Sequence, residues 1–131
     1  MMEKVNNKIN NVVRIPTSLD SKFFKYWLEF LRPFHHLTDR EIDVIACFIK
    51  HRYLLGKVIN DSKILDKIIM NKDTKKQIRE ECGITRPHFQ IIMGKLREKN
   101  VIINNTINPK FIPNIESDSD TFKLMLLFDL Q

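Results

Sequence analysis

The sequence has few of the residues on which enzymatic or metal chemistry usually depends. Three isolated glycines among 131 residues exclude a glycine-rich phosphate-binding loop. His35 and His36 are adjacent, so their side chains diverge and would need unrelated partners to hold an ion. Cys47 and Cys82 are far apart in sequence and lack a second ligand pair at zinc-site spacing, so we expect reduced core thiols. We therefore expect no catalytic activity, no metal site and no cofactor.

Long apolar runs are also absent. No stretch approaches the roughly 18 apolar residues that a membrane-spanning helix needs, so we expect no contact with a membrane. The first residues, MMEKVNNKINNVVRIP, are too polar for a signal peptide, and we expect the protein to stay in the cytoplasm. The length allows one domain, 17–131, preceded by a polar, asparagine-rich arm, 1–16, that would be flexible alone.

The segment from Thr74 to Asn100 has the pattern of two helices joined by a tight turn. Gly83 stands where a chain leaving a helix favours a left-handed conformation. Thr85 can cap the second helix, and Pro87 falls in its first turn, where a missing N–H costs little. Inward positions recur at helical spacing on both helices: Ile78, Cys82, Ile84, Phe89, Ile92, Met93 and Leu96. The second helix would then stand out from the surface, as in a DNA-binding helix-turn-helix.

Strand-like patterns follow this segment. Val101–Ile103 precedes the pair Asn104-Asn105, and the stretch Phe122–Leu130 is apolar at every second residue. That alternation is typical of a strand with one buried face. If Ile107–Ile112 pairs with Phe122–Leu130, the hairpin has an acidic tip at 114–120.

Three more helices are predicted upstream. Leu19–Leu31 is rich in aromatic residues; these either form a core helix or, since they cannot all face one core, also contact a partner. A helix after Thr38 begins with a capping box that Glu41 completes. A short helix over Asp61–Met70 would turn four residues inward: Ile64, Leu65, Ile68 and Ile69.

From about Leu37 to the last residue, this order of elements resembles the winged helix-turn-helix superfamily. Leu37–Ile49, LTDREIDVIACFI, is similar to the first core helix of many bacterial winged-helix and response-regulator modules. The resemblance implies a mainly α fold with a small β-hairpin or sheet, here with an extra N-terminal helix and arm. It also implies binding of double-stranded DNA, as a regulator of transcription or replication.

The charge distribution agrees with that expectation in the helices but not in the predicted wing. The net charge is +6, and 72–115 holds nine Lys or Arg against four Asp or Glu. Gln90 could pair with adenine and Arg86 with guanine, while lysines reach phosphates. The predicted DNA-binding residues are Lys75, Lys76, Arg86, His88, Gln90, Lys95 and Arg97.

An alternative function is a protein-interaction or assembly module. An apolar strip, Pro87, Ile91 and Gly94, occupies the helix face that would read bases, and an acidic wing would be repelled by phosphate. The arm, the aromatic first helix and the wing could join copies into an oligomer or hold another protein. The Asn-, Ile- and Lys-rich composition is also similar to small winged-helix proteins of tailed bacteriophages, including ring or connector components of the virion. The interface would then use Pro87, Ile91, Gly94, Glu116, Asp118 and Asp120.

Overall fold

A computed structural model of the chain describes residues 11–116 and 119–131, and these ranges are mainly helical. The helices are α1 Ser21–Phe30, α2 Arg32–His35, α3 Asp39–Gly56, α4 Ser62–Ile69, α5 Lys72–Glu81 and α6 Arg86–Glu98. A two-stranded antiparallel sheet follows, made of β1 Ile102–Ile103 and β2 Thr106–Ile107, and then a 3-10 turn, Pro109–Phe111. The mainly α fold with a small hairpin is confirmed.

Helix α3 is the centre of the core, because α1, α4, α5 and α6 all pack against it. It begins as predicted. The Thr38 hydroxyl accepts from the backbone N–H of Glu41, and the Glu41 carboxylate accepts from the backbone N–H of Thr38. The same carboxylate accepts from Lys99 Nζ at 2.8 Å, which ties the end of α6 to the start of α3. Burial alone would raise the pKa of Glu41, but the hydrogen bonds from Lys99 and Thr38 outweigh it and lower that pKa.

Helix α1 packs on the core by one side, while the predicted contact with a partner stays a prediction. Asp20 caps it by accepting from the backbone N–H of Lys22. Phe24 is fully buried, and the Trp27 indole N–H donates to the carbonyl oxygen of Phe111 at 2.8 Å. Other aromatics of this region are exposed to solvent, namely Tyr26, Phe30 and Phe34. One side of α1 therefore belongs to the core and the other is open.

A buried histidine fixes the connection from α1 to α3. His35 is almost completely buried, and its Nε2–H donates to the carbonyl oxygen of Leu28 at 2.7 Å. Its Nδ1 accepts from the backbone N–H of Leu37 at 2.9 Å. Burial lowers the pKa of His35, since the charged form would be desolvated and could no longer accept that hydrogen bond.

The predicted strand over Phe122–Leu130 is wrong. Within 119–131, which the structure describes, no strand forms, and the alternating apolar residues after Phe122 are exposed. Phe122 is half-buried and meets the rings of Phe23 and Trp27 edge to face. The predicted pairing with Ile107–Ile112 fails because Pro109 starts a 3-10 turn there and has no N–H for a ladder.

The hairpin instead forms earlier in the chain. Ile102 lies opposite Ile107, and Ile103 opposite Thr106. Asn104 and Asn105 make the turn with φ values of 52° and 59°, the left-handed conformations that a two-residue hairpin turn requires. The predicted acidic tip at 114–120 is therefore not a hairpin tip, and residues 117 and 118 lie outside the described ranges.

One of the four inward positions predicted for α4 is also wrong. Leu65 and Ile69 are buried and Ile68 is half-buried, but Ile64 is 52% exposed. At about 100° per residue, Ile64 lies about 120° around the helix from the midpoint of Leu65 and Ile69. An eight-residue helix packed on α3 by one side cannot bury so wide an arc. No helix in the described ranges has the length and apolarity to cross a membrane.

Of the predicted arm, residues 11–16 are exposed and outside any helix or strand, and 1–10 lie outside the described ranges.

Candidate nucleic-acid interface

Helices α5 and α6 are joined by a short turn at Gly83, as the sequence predicted. Gly83 has a φ of 63°, and the next residue, Ile84, is buried in the turn. Thr85 caps α6, because its hydroxyl accepts from the backbone N–H of His88 at 3.4 Å. Asn71 caps α5 in the same way by accepting from the backbone N–H of Thr74 at 2.8 Å. Both helices of the unit therefore begin at a side-chain cap.

The inward side of α6 anchors it to the core. Its four predicted core residues are all buried: Phe89, Ile92, Met93 and Leu96. The Phe89 ring stacks on Phe48 of α3 at a centroid distance of 6.4 Å. Cys82 was expected to be buried beside Phe89 but is only half-buried, since it is the C-cap of α5 at the edge of the core. This packing fixes which side of α6 faces solvent.

The solvent side of α6 holds most of the predicted DNA-binding residues. Gln90 and the basic residues of α6 are exposed, and Lys95 makes a long, 3.6 Å ion pair with Glu98 one turn away. On α5, Lys76 is exposed and Lys75 is half-buried. The ammonium group of Lys99, just after α6, instead donates to Glu41 and to the carbonyl oxygen of His36. The exposed α6 set is Arg86, His88, Gln90, Lys95 and Arg97.

The apolar strip on α6 is also open to solvent. Pro87 is exposed, Ile91 is 63% exposed, and a Cβ placed on Gly94 would meet no atom within 4 Å apart from its chain neighbours and the nearby backbone of α6. A partner backbone could therefore approach α6 closely at Gly94. The remaining residues predicted for a protein interface, Glu116 and Asp120, are exposed, while Asp118 lies outside the described ranges.

The hairpin that follows α6 has an uncharged tip. Ile102 and Ile107 are buried and hold the hairpin against the domain, and β1 packs on α6. The Asn108 side chain donates to the carbonyl oxygen of Asn100 at 2.9 Å, closing the base of the loop. The tip is Asn104-Asn105, so the electrostatic objection to phosphate near this hairpin no longer applies.

Sequence reasoning missed a cluster on the other side of α5. Cys47 and His51 of α3 and Glu81 of α5 bring a sulfur, a nitrogen and a carboxylate oxygen within 4.8 Å of one another. The spacing between Cys47 and Cys82 did not indicate this cluster, and the expectation that no metal binds stays a prediction. The i, i+4 spacing of Cys47 and His51 was a visible signal, because it places both on one helix face.

Charges and burial shape the titration of this cluster. The neighbouring Cys82 thiol, burial and the Glu81 carboxylate all raise the pKa of Cys47. Burial would raise the pKa of Glu81, but hydrogen bonds from Lys50, His51 and Cys47 lower it overall. The cluster thus holds a protonated thiol next to an ionised carboxylate.

The chain matches no protein-family model, no curated protein and no solved structure. Function is therefore inferred from the residues themselves.

Proposed function

We propose that the protein binds double-stranded DNA through α6, as a small winged helix-turn-helix regulator of transcription or replication. The observation that supports this most is the division of α6 into two sides. Four buried apolar residues fix one side to α3, and the solvent side presents Arg86, Gln90 and three further basic or histidine side chains. A helix held this way can enter the major groove, which is wide enough to admit it.

The chemistry of the exposed residues fits separate roles on DNA. The Gln90 amide can donate to and accept from adenine, and the Arg86 guanidinium can pair with guanine or a phosphate. Lys95 and Arg97, near the end of α6, and Lys76 on α5 offer cations that suit phosphates. Sequence preference would then depend on Gln90, and most of the affinity on the cations.

The hairpin β1–β2 serves as a short wing in this proposal. Its Asn104-Asn105 tip has amide groups that can donate to phosphate oxygens and no charge that would repel them. The acidic residues after Ile115 belong to a different segment, which Phe122 anchors on α1. DNA phosphates can therefore approach this hairpin without approaching the acidic segment.

Binding of labelled duplexes to matched variants tests the proposal. Lys76→Ala and Lys95→Ala should weaken binding to every sequence alike and flatten its salt dependence. Gln90→Ala should instead reduce discrimination at one or two base pairs by about 1–3 kcal/mol. Lys63→Ala is the control, because Lys63 is exposed on α4 and should leave binding unchanged. If Lys63→Ala weakens binding as much as Lys95→Ala, charge alone and not α6 attracts the DNA.

A second function, a protein-assembly module, is favoured by the last residues of the chain. Phe128 and Leu130 are 83% and 94% exposed, and Met125 and Leu127 are also largely in solvent. Large apolar side chains clustered in solvent mark contacts with other proteins. An extended segment with apolar residues at alternate positions can add as a strand to the sheet of a partner or of another copy. A ring or connector of a tailed-phage virion would need such contacts between its subunits.

Light scattering on two variants distinguishes this function from DNA binding. Phe128→Ser should abolish self-association and leave duplex affinity unchanged if the last residues join copies. Gly94→Leu should fold normally, because a Cβ at that position has open space around it, and should block close approach to α6. If Gly94→Leu loses duplex affinity and still associates like the natural chain, α6 binds DNA. If the natural chain has no duplex affinity and the variants lose self-association, assembly is the function.

A further inference from the structure

The strongest unassigned feature is the cluster between α3 and the end of α5. Cys47 and His51 lie one helical turn apart on α3, and Glu81 reaches them from the last turn of α5. The Cys47 thiol donates to Glu81 Oε1 at 3.3 Å, and His51 Nε2 lies 2.7 Å from Glu81 Oε2. Three different metal-ligating groups therefore converge on one small volume.

We propose that this cluster binds one zinc-class divalent cation, with Cys47 Sγ, His51 Nε2 and a Glu81 carboxylate oxygen as ligands. Zinc accepts sulfur, nitrogen and oxygen ligands together, at about 2.0–2.3 Å. Ligand atoms around a tetrahedral ion of that size are about 3.3–3.8 Å apart. The three atoms lie within 4.8 Å of one another, so small side-chain rotations bring them onto an ion.

The charges of the cluster match a divalent ion. The Cys47 thiol gives its proton to solvent on binding, as zinc-bound cysteine does. The resulting thiolate and the Glu81 carboxylate neutralise the two charges of the ion, and His51 binds as neutral imidazole. Lys50 donates to Glu81 Oε1 at 3.0 Å and can keep that bond from outside the site. The ion replaces the hydrogen bonds that now join His51 and Cys47 to Glu81.

The cluster supplies three ligands, and a water molecule can take the fourth position of a tetrahedral ion. The cluster is accessible, because His51 and Glu81 keep part of their side chains in solvent. An ion here would join α3 to α5 two residues before Gly83, and so hold α5 and the turn in place.

Cobalt(II) titration of the full chain tests the site, after chelator treatment and with a metal-free reductant present. Co²⁺ is the probe, since its bonds to thiolate give a near-ultraviolet charge-transfer absorption that carboxylates alone do not. We expect saturation at one Co²⁺ per chain, with displacement by Zn²⁺ and a higher melting temperature in Zn²⁺. Absence of a saturable thiolate band would overturn the proposal.

Variants identify the ligands. Cys47→Ala should remove the thiolate band, and His51→Ala should weaken Co²⁺ binding at least about tenfold. His51→Ala is the safer of the two for folding, since His51 is not in the buried core. His88→Ala is the matched control, because His88 is an exposed histidine on α6, and its affinity should equal that of the natural chain. Unchanged Co²⁺ affinity in His51→Ala would show that the ion binds elsewhere and would refute the proposed site.

Discussion

Replacing the buried His35 with leucine should destabilise the fold strongly while keeping similar volume. Leucine can neither donate to the Leu28 carbonyl oxygen nor accept from the Leu37 N–H, the two bonds that His35 makes. Each buried backbone group left unpaired costs about 1–3 kcal/mol, so His35→Leu should lower the free energy of unfolding by about 2–6 kcal/mol. That loss is a large part of the free energy of unfolding of a typical domain, which is roughly 5–15 kcal/mol.

The pH dependence of stability gives a sharper test of the same residue. Burial lowers the pKa of His35 in the folded state, and the unfolded chain titrates near the ordinary value of 6.5. Below that value the unfolded state binds more protons, so the stabilisation from neutral His35 is complete above pH 6.5 and is lost as the pH falls. The free energy of unfolding can fall by up to about 1.4 kcal/mol for each pH unit in this range.

Urea unfolding at several pH values measures both effects. Between about pH 7.5 and about pH 5, the natural chain should lose stability more steeply than His35→Leu. His88→Leu is the control, because His88 is exposed, and it should keep the natural slope. A change of less than about 0.5 kcal/mol in His35→Leu, with an unaltered slope, would show that the two hydrogen bonds do not stabilise the fold.

Three further changes test the packing and caps of the helices by urea unfolding. Phe89→Ala should cost about 3–5 kcal/mol through the cavity left against Phe48, and a cost under about 1 kcal/mol would mean that α6 is not anchored there. Thr38→Ala should cost about 1 kcal/mol, because it removes the cap of α3. Gly94→Ala should stabilise α6 by about 0.5–1 kcal/mol, since the position is helical and open. A loss of stability in Gly94→Ala would mean that the space beside it is filled.

All the helices except the four-residue α2 were predictable because their signals are local. The capping box at Thr38 and the apolar spacing after it located α3, and Gly83 with Thr85 located the turn between α5 and α6. The predicted inward position at Ile64 failed because the apolar spacing does not reveal how much of a short helix its neighbours cover. The one at Cys82 failed in part because that residue ends α5 at the edge of the core.

The strand and the cluster depended on contacts that the sequence does not reveal. The alternation in Phe122–Leu130 indicates what a strand there would bury, but a strand also needs a neighbouring edge, and the hairpin offers only two residues per strand. The positive φ values at Asn104 and Asn105 identify the actual turn. The convergence of Cys47 and Glu81 follows from the packing of α3 on α5, which no spacing between those residues encodes.

The affinity of the full chain for duplex DNA, measured at two salt concentrations, tests DNA binding by α6 most directly. Binding that involves about six phosphate contacts should weaken roughly a thousandfold between about 50 and about 200 mM salt. The natural chain should show this loss, and Lys95→Ala should show a smaller one. Absence of binding at the lower concentration, or an affinity that does not change with salt, would contradict the proposal that this protein binds DNA.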